Sequence, residues 1–228
     1  MAKDSARRSP ILLQKSNRRK ALGVAPLKRK QNQYERILLA SASLMSQMGF
    51  KGVSLQQIAD KIGLHKSSLF HYFNNKEELL LRILEKPFDQ FYHDFQKIIG
   101  DKELKPEEKL RKAIYGHLEL LMEYDDNVSI FLNDLKSLSE KNRKIHLAKI
   151  KKYEEDFEEI VRGMKKEGFF KGLDPKIVTF GILGMVNWVT RWFRPNGPLT
   201  IEEISDIFYR MLATQSSDSS KPWIIIDT

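Results

Sequence analysis

The 228-residue sequence has no cysteine, which excludes disulfides, thiolate metal sites and cysteine nucleophiles. It suits a reducing, cytoplasmic setting. Long hydrophobic runs are missing too. The longest mainly apolar stretch, residues 177–189, is too short to span a bilayer and contains Asn187, so no membrane partner is expected. Ile11-Leu-Leu13 is too brief for a signal-peptide core. There is no nucleophile elbow, Gly-rich phosphate loop or HExxH, and the five histidines lack metal-ligand spacing. Those absences argue against an enzyme, a bound metal or a cofactor. His117 and His146 fall on apolar faces, where a hydrogen-bonded core histidine is the simpler reading.

What is present is an ordinary globular composition, 41% hydrophobic and 30% charged, with an uneven distribution of charge. Residues 1–30 carry ten lysines and arginines against the single acid Asp4, which accounts for the whole formal excess of +9. Low hydrophobicity and high local charge predict a disordered basic arm over 1–30. Such an arm either follows nucleic-acid phosphates or acts as a solubilising leader. In neither case does it read sequence, because phosphate attraction carries no base information.

From residue 34 onward the chain reads as all-α. Apolar residues recur at three and four, and no stretch alternates as a strand would. About nine helices are predicted. The first covers 34–48 and ends at Gly49. Ser54-Leu-Gln-Gln57 is a capping box opening a short helix that buries Leu55, Ile58 and Ala59. Gly63 breaks it, and a third helix spans 66–73. Asn75 to Glu78 boxes a fourth, which Pro87 is expected to kink or split. Pro106 starts a fifth through residue 123, and a sixth covers 128–138. The seventh carries a stripe of His146, Ile150, Tyr153, Phe157, Ile160 and Met164, ending at Gly168. Asp174-Pro175 caps an eighth through residue 193. Thr200 to Glu203 boxes a ninth with Ile204, Ile207, Phe208 and Met211 facing inward. The domain layout is thus an arm (1–30), a three-helix unit (31–80), a larger helical bundle (81–215) and a tail (216–228) whose apolar end has no assigned role.

The short helix after Ser54, the turn at Gly63 and the helix from Lys66 form a helix-turn-helix. With Leu69, Phe70 and Phe73 inward, Lys66, Ser67, Ser68, His71 and Tyr72 face out. These are groups suited to a DNA major groove. Lys76 and the first amides of the fourth helix suit a backbone phosphate. Spacing alone leaves open a plain helical hairpin facing water.

The run from Tyr34 to Leu80 resembles the TetR family of bacterial transcriptional repressors. The resemblance rests on Gly49-Phe50, Ser54, Ile58-Ala59, Gly63, Leu69-Phe-His-Tyr-Phe73 and Lys76-Glu-Glu-Leu79. It implies that Ser54, Tyr72 and Lys76 hold phosphates, while Lys66, Ser67, Ser68 and His71 face bases. His65 stands where the family usually caps the reader helix with Ser or Thr; histidine caps poorly, so His65 joins the candidate DNA contacts. The resemblance also implies a bacterial, nucleoid-associated regulator that binds a double-stranded operator as a homodimer through its last two helices and holds a small effector. The apolar circumference of the eighth helix, with Gly181 and Gly184 allowing close approach, fits such an interface.

The C-terminal half, with Tyr153-Glu154, Gly168-Phe-Phe170 and GMVNWVTRWFRPNGPLTIEEI over 184–204, is similar to the branch regulating fatty-acid and steroid breakdown. That likeness implies an acyl-CoA or fatty-acid effector. A long apolar tunnel would be lined by Phe88, Phe91, Phe131, Tyr153, Phe157, Met164 and Trp188, with Asn187 nearby and Arg191 meeting a CoA phosphate. Two other readings stay open beside the ligand-responsive repressor. One is a non-specific nucleic-acid binder driven by the basic arm, the other a helical-bundle enzyme built from distant residues.

Overall fold

A computed structural model of the chain describes residues 33–213; the predicted basic arm (1–30) and the tail (216–228) lie outside them. Among the described residues there are nine α-helices and no strand. In chain order these are α1 (Gln33–Gly52), α2 (Leu55–Ile62), α3 (Lys66–Leu69), α4 (Lys76–Gly100), α5 (Pro106–Glu123), α6 (Asp125–Asp134), α7 (Glu140–Lys166), α8 (Pro175–Trp192) and α9 (Ile201–Ala213). A 3-10 turn, Leu135–Ser137, follows α6. Among the described residues, 37–213 form one packed unit, and Arg36 donates to Gln33 Oε1 at 3.0 Å in the first turn of α1.

The helix starts follow local chemistry. Ser54 Oγ accepts from the Gln57 amide at 3.2 Å while Gln57 Oε1 accepts from the Ser54 amide at 2.8 Å, which is the expected capping box. Ser54→Ala is therefore expected to destabilise the protein by about 0.5–2 kcal/mol, read as a lowered thermal unfolding midpoint. Asp174 Oδ1 accepts from the Lys176 and Ile177 amides, and Thr200 and Glu203 exchange reciprocal bonds. At α4 the box is displaced by one residue. Asn75 Oδ1 accepts from the Glu78 amide, but the Glu78 carboxylate returns to the Asn74 amide at 2.9 Å.

Two glycines do what only glycine does cheaply. Gly63 is left-handed (φ 72, ψ 36), and its N–H returns to the last turn of α2, ending it. Gly49 (φ 72, ψ 159) interrupts α1 with non-helical angles, yet helical geometry resumes and runs to Gly52. The first long helical piece thus breaks at Gly49 as expected, and a short second piece follows it to Gly52. Pro87 does less than expected: α4 runs through it as one continuous helix and is not split. The loss of one backbone bond is tolerated because Ile83, Leu84 and Phe95 bury the helix on both sides of it.

The bundle core joins α4, α5, α7, α8 and α9 around Phe95, Ile114, Leu118, Phe157, Val161, Met164, Val186 and Ile204. Within the helices some inward positions differ from expectation. Leu55 and Ile150 are half-buried, and Met211 is 56% exposed. Among the described residues no helix is long and apolar enough to cross a membrane.

Candidate functional site

The reader segment is shorter than its sequence suggests. Regular helix stops at Leu69, and the chain continues in tight turns, with Tyr72 and Phe73 amides both donating to Leu69 O at 3.0 Å. Leu69 and Phe73, four residues apart, take the inward side and are buried. Phe70 does not join them. It lies four residues after Lys66, shares that outer side, and is 50% exposed. His65, Lys66, Ser67, His71 and Tyr72 are exposed as expected, with Ser68 half-buried. His65 occupies the cap position and makes no side-chain cap bond.

Lys76 has unexpected company. Its ammonium donates to Phe50 O at 2.6 Å and Val53 O at 2.7 Å and lies 4.3 Å from the Phe50 ring centroid. Two of its three N–H bonds thus close the end of α1, one residue before Ser54. Burial lowers its pKa, and the nearby Asp134 carboxylate opposes that shift. Asp134 Oδ2 itself accepts from the Phe50 amide at 3.0 Å. The α4 N-terminus is held by Asn75 and carries Glu77 and Glu78, so it is not the bare row of amides expected there.

Further bonds tie these N-terminal helices to the bundle. Ser46 Oγ donates to Asp126 Oδ1 at 2.6 Å, and Asn127 Nδ2 donates to Ile83 O at 2.6 Å. Glu77 Oε1 accepts from the Ser139 amide and from Asn142 Nδ2, both at 2.8 Å, and those bonds hold its carboxyl below the usual range. None of these contacts is visible to sequence reasoning, because each joins distant residues with no local signature.

In the bundle the structure brings most expected effector residues together. Phe91 and Phe95 meet the Tyr153 ring at 5.2 and 4.8 Å, Phe157 stacks on Phe95, and Met164 is buried in the same core. Tyr153 Oη bonds His117 Nδ1 at 2.9 Å, and the Asn187 side chain also bonds that histidine. Burial pushes His117 down to about 4, against the pull of Asn187, and pushes the Tyr153 phenol up. Phe88 and Phe131 approach one another through His146, at 6.2 and 6.0 Å.

Trp188 and Arg191 are elsewhere. Trp188 is 64% exposed and Arg191 is exposed, so neither lines this core. They share the outer side of α8 with Ile177, Phe180 and Trp192, all exposed, at spacings of three and four. A Cβ added at Gly181 or Gly184 on this stretch meets nothing within 4 Å. Periodicity marks α8 as apolar on two sides without saying which one its own chain covers.

The seam between α4 and α7 is polar. Lys149 Nζ donates to Glu85 Oε1 at 2.9 Å and to Asp89 Oδ1 at 3.0 Å, although Glu85 is buried. Further along α4, Tyr92 Oη and Gln96 Nε2 donate to Asp156 at 2.5 and 2.6 Å. Among the described residues no cluster of His, Asp or Glu could hold a metal ion.

Two family models match this arrangement. Residues 37–83 match that of bacterial regulatory proteins of the tetR family, and residues 103–215 match a tetracyclin repressor-like C-terminal domain. The chain is 25% identical over 171 residues to the HTH-type transcriptional repressor KstR2 of Mycobacterium tuberculosis, covering 74% of this chain and 84% of that one. A TetR family transcriptional regulator from Thermus thermophilus, PfmR, superposes with a TM-score of 0.71 at 30% identity, over 80% of this chain and 100% of its own. AibR, solved with isovaleryl coenzyme A and operator DNA, superposes with a TM-score of 0.70 at 32% identity, over 79% of this chain and 98% of its own.

Proposed function

Because the chain belongs to the TetR family of DNA-binding transcriptional regulators, we propose that it is a dimeric repressor of a pseudo-palindromic operator, released by an acyl-CoA. The observation that carries the reading is the outward set on the reader segment: Lys66, Ser67, His71 and Tyr72 stand exposed on one short turn anchored by buried Leu69 and Phe73. Lys66, Ser67, Ser68 and His71 meet base edges, while Ser54 and Tyr72 meet phosphates. Two such segments, related by a two-fold axis through α8 and α9, enter successive major grooves.

The effector enters the aromatic core of α4, α5 and α7. AibR, bound to both isovaleryl coenzyme A and operator DNA, supports an acyl thioester as the class. The hydrogen bonds at Glu77, Glu85 and Tyr92 tie α4 to α7, so a ligand that parts these helices tilts α4 and with it the reader. A differential affinity of about 1–3 kcal/mol between the two positions suffices for a useful switch.

Selection of genomic fragments by the full-length protein, repeated with residues 1–30 deleted, tests the reading. Both proteins are expected to enrich the same two-fold symmetric site, the shorter one more weakly and with a shallower salt dependence. Loss of all site preference on deletion would favour a non-specific binder driven by the arm.

A further inference from the structure

The bundle holds two buried histidines and satisfies only one. His117 bonds Tyr153 and Asn187. His146 is 2% exposed, yet its Nδ1 has no hydrogen-bond partner among the described residues. A buried polar atom left unpaired penalises the protein that carries it, so the position calls for an explanation. The surroundings provide one. The ring is flanked by Phe88 from α4 and Phe131 from α6, at 6.2 and 6.0 Å, and both of these apolar rings remain only half-buried. Phe91, one turn further along α4, is half-buried too.

We infer that His146 is the polar anchor of the effector site, with Nδ1–H donating to the thioester carbonyl of an acyl ligand whose chain packs against Phe88, Phe91 and Phe131. The inference rests on the acyl-thioester reading above and adds to it a specificity rule. The charged groups facing the imidazole are Glu85 and Asp89 on α4 and Lys149 on its own helix; Phe131 brings none from α6. Burial holds the ring pKa below its ordinary value, against the pull of the two acids, so at neutral pH the ring is uncharged and offers a single N–H. Lys149 is already bonded to both acids. A free carboxylate would therefore meet a neutral donor beside two like charges, whereas an uncharged carbonyl asks only for the N–H. The site selects the thioester against the free acid. It also sits one turn from Lys149, so the occupant bears directly on the seam joining α7 to α4.

Four probes test this on the full-length protein bound to a selected operator fragment: decanoyl-CoA, isovaleryl-CoA, the matching S-decyl-CoA thioether lacking the carbonyl, and decanoate. For the wild type, half-release is expected at about tenfold lower concentration of decanoyl-CoA than of the thioether or of decanoate. His146→Phe removes the N–H while keeping an aromatic ring, and is expected to release the operator at equal concentrations of decanoyl-CoA and its thioether. His146→Asn, a second variant with a side-chain donor, is expected to keep part of the carbonyl preference. A wild type that answers equally to thioester and thioether, or a preference that survives in His146→Phe, overturns the anchor while leaving the acyl-CoA reading intact. If neither acyl-CoA binds the wild type, the effector reading itself fails and the anchor falls with it.

Discussion

With Phe180 and Trp188 both changed to glutamate, the protein is expected to sediment as a monomer and to bind its operator at least about a hundredfold more weakly. The two side chains are 45% and 64% exposed on the outer side of α8, flanked by Gly181 and Gly184. Neither supports the core of its own chain, so the thermal stability of the isolated chain should change by no more than about 0.5 kcal/mol. In the proposed dimer, four glutamates would face one another across the two-fold axis and bring like charges into a contact that needs desolvated apolar surface. Each half-site would then be bound separately, without the gain from linking two readers, which is worth a factor of about 10² to 10⁴. Sedimentation equilibrium and operator titration on the same samples check both halves. A variant that remains dimeric, or a monomer that binds the full site as tightly as wild type, would remove α8 from the proposed interface.

Much of this is legible in the sequence where the signal is local. The expected bounds of α5 match Pro106–Glu123 because proline suits a first helical turn and the next apolar stripe is unbroken. Ser54, Asp174 and Thr200 are readable as caps because a cap and its partner lie two or three residues apart. Sequence reasoning fails where a residue answers to distant partners. Hydrophobicity assigns Phe70 to the core, but Leu69 and Phe73 already fill the inward positions of so short a helix. The likeness of the 184–204 block assigns Trp188 to the effector tunnel, and an apolar stripe at a period of 3.6 does not say what lies opposite it. The bonds from Asp126 and Asp134 to α1 leave no trace in the sequence, since a serine hydroxyl and a backbone amide some eighty residues away carry no spacing to detect.

Lys76 shows how such contacts change a functional expectation. Resemblance implies a phosphate ligand, whereas the structure has the ammonium on Phe50 O, Val53 O and the Phe50 ring. Charged hydrogen bonds of this kind are worth about 1.5–3 kcal/mol, and these fix where α1 ends, where Ser54 begins α2 and how Asp134 meets the Phe50 amide. Lys76→Ala is expected to weaken operator binding by about 10- to 100-fold for every sequence alike, since the loss is in the placing of the reader. The slope of log affinity against log salt is the deciding readout. Removing a true phosphate contact lowers that slope by about one charge. Removing a brace leaves it unchanged, because the Lys76 ammonium is bonded to the Phe50 and Val53 carbonyls near Asp134 rather than to DNA. Lys66→Ala, by contrast, is expected to relax preference at particular base pairs, which a positional selection would resolve. A salt slope that falls by a full charge in Lys76→Ala, with the stability of the free protein unchanged, would return Lys76 to the phosphates and leave the end of α1 to be held by Asp134 alone.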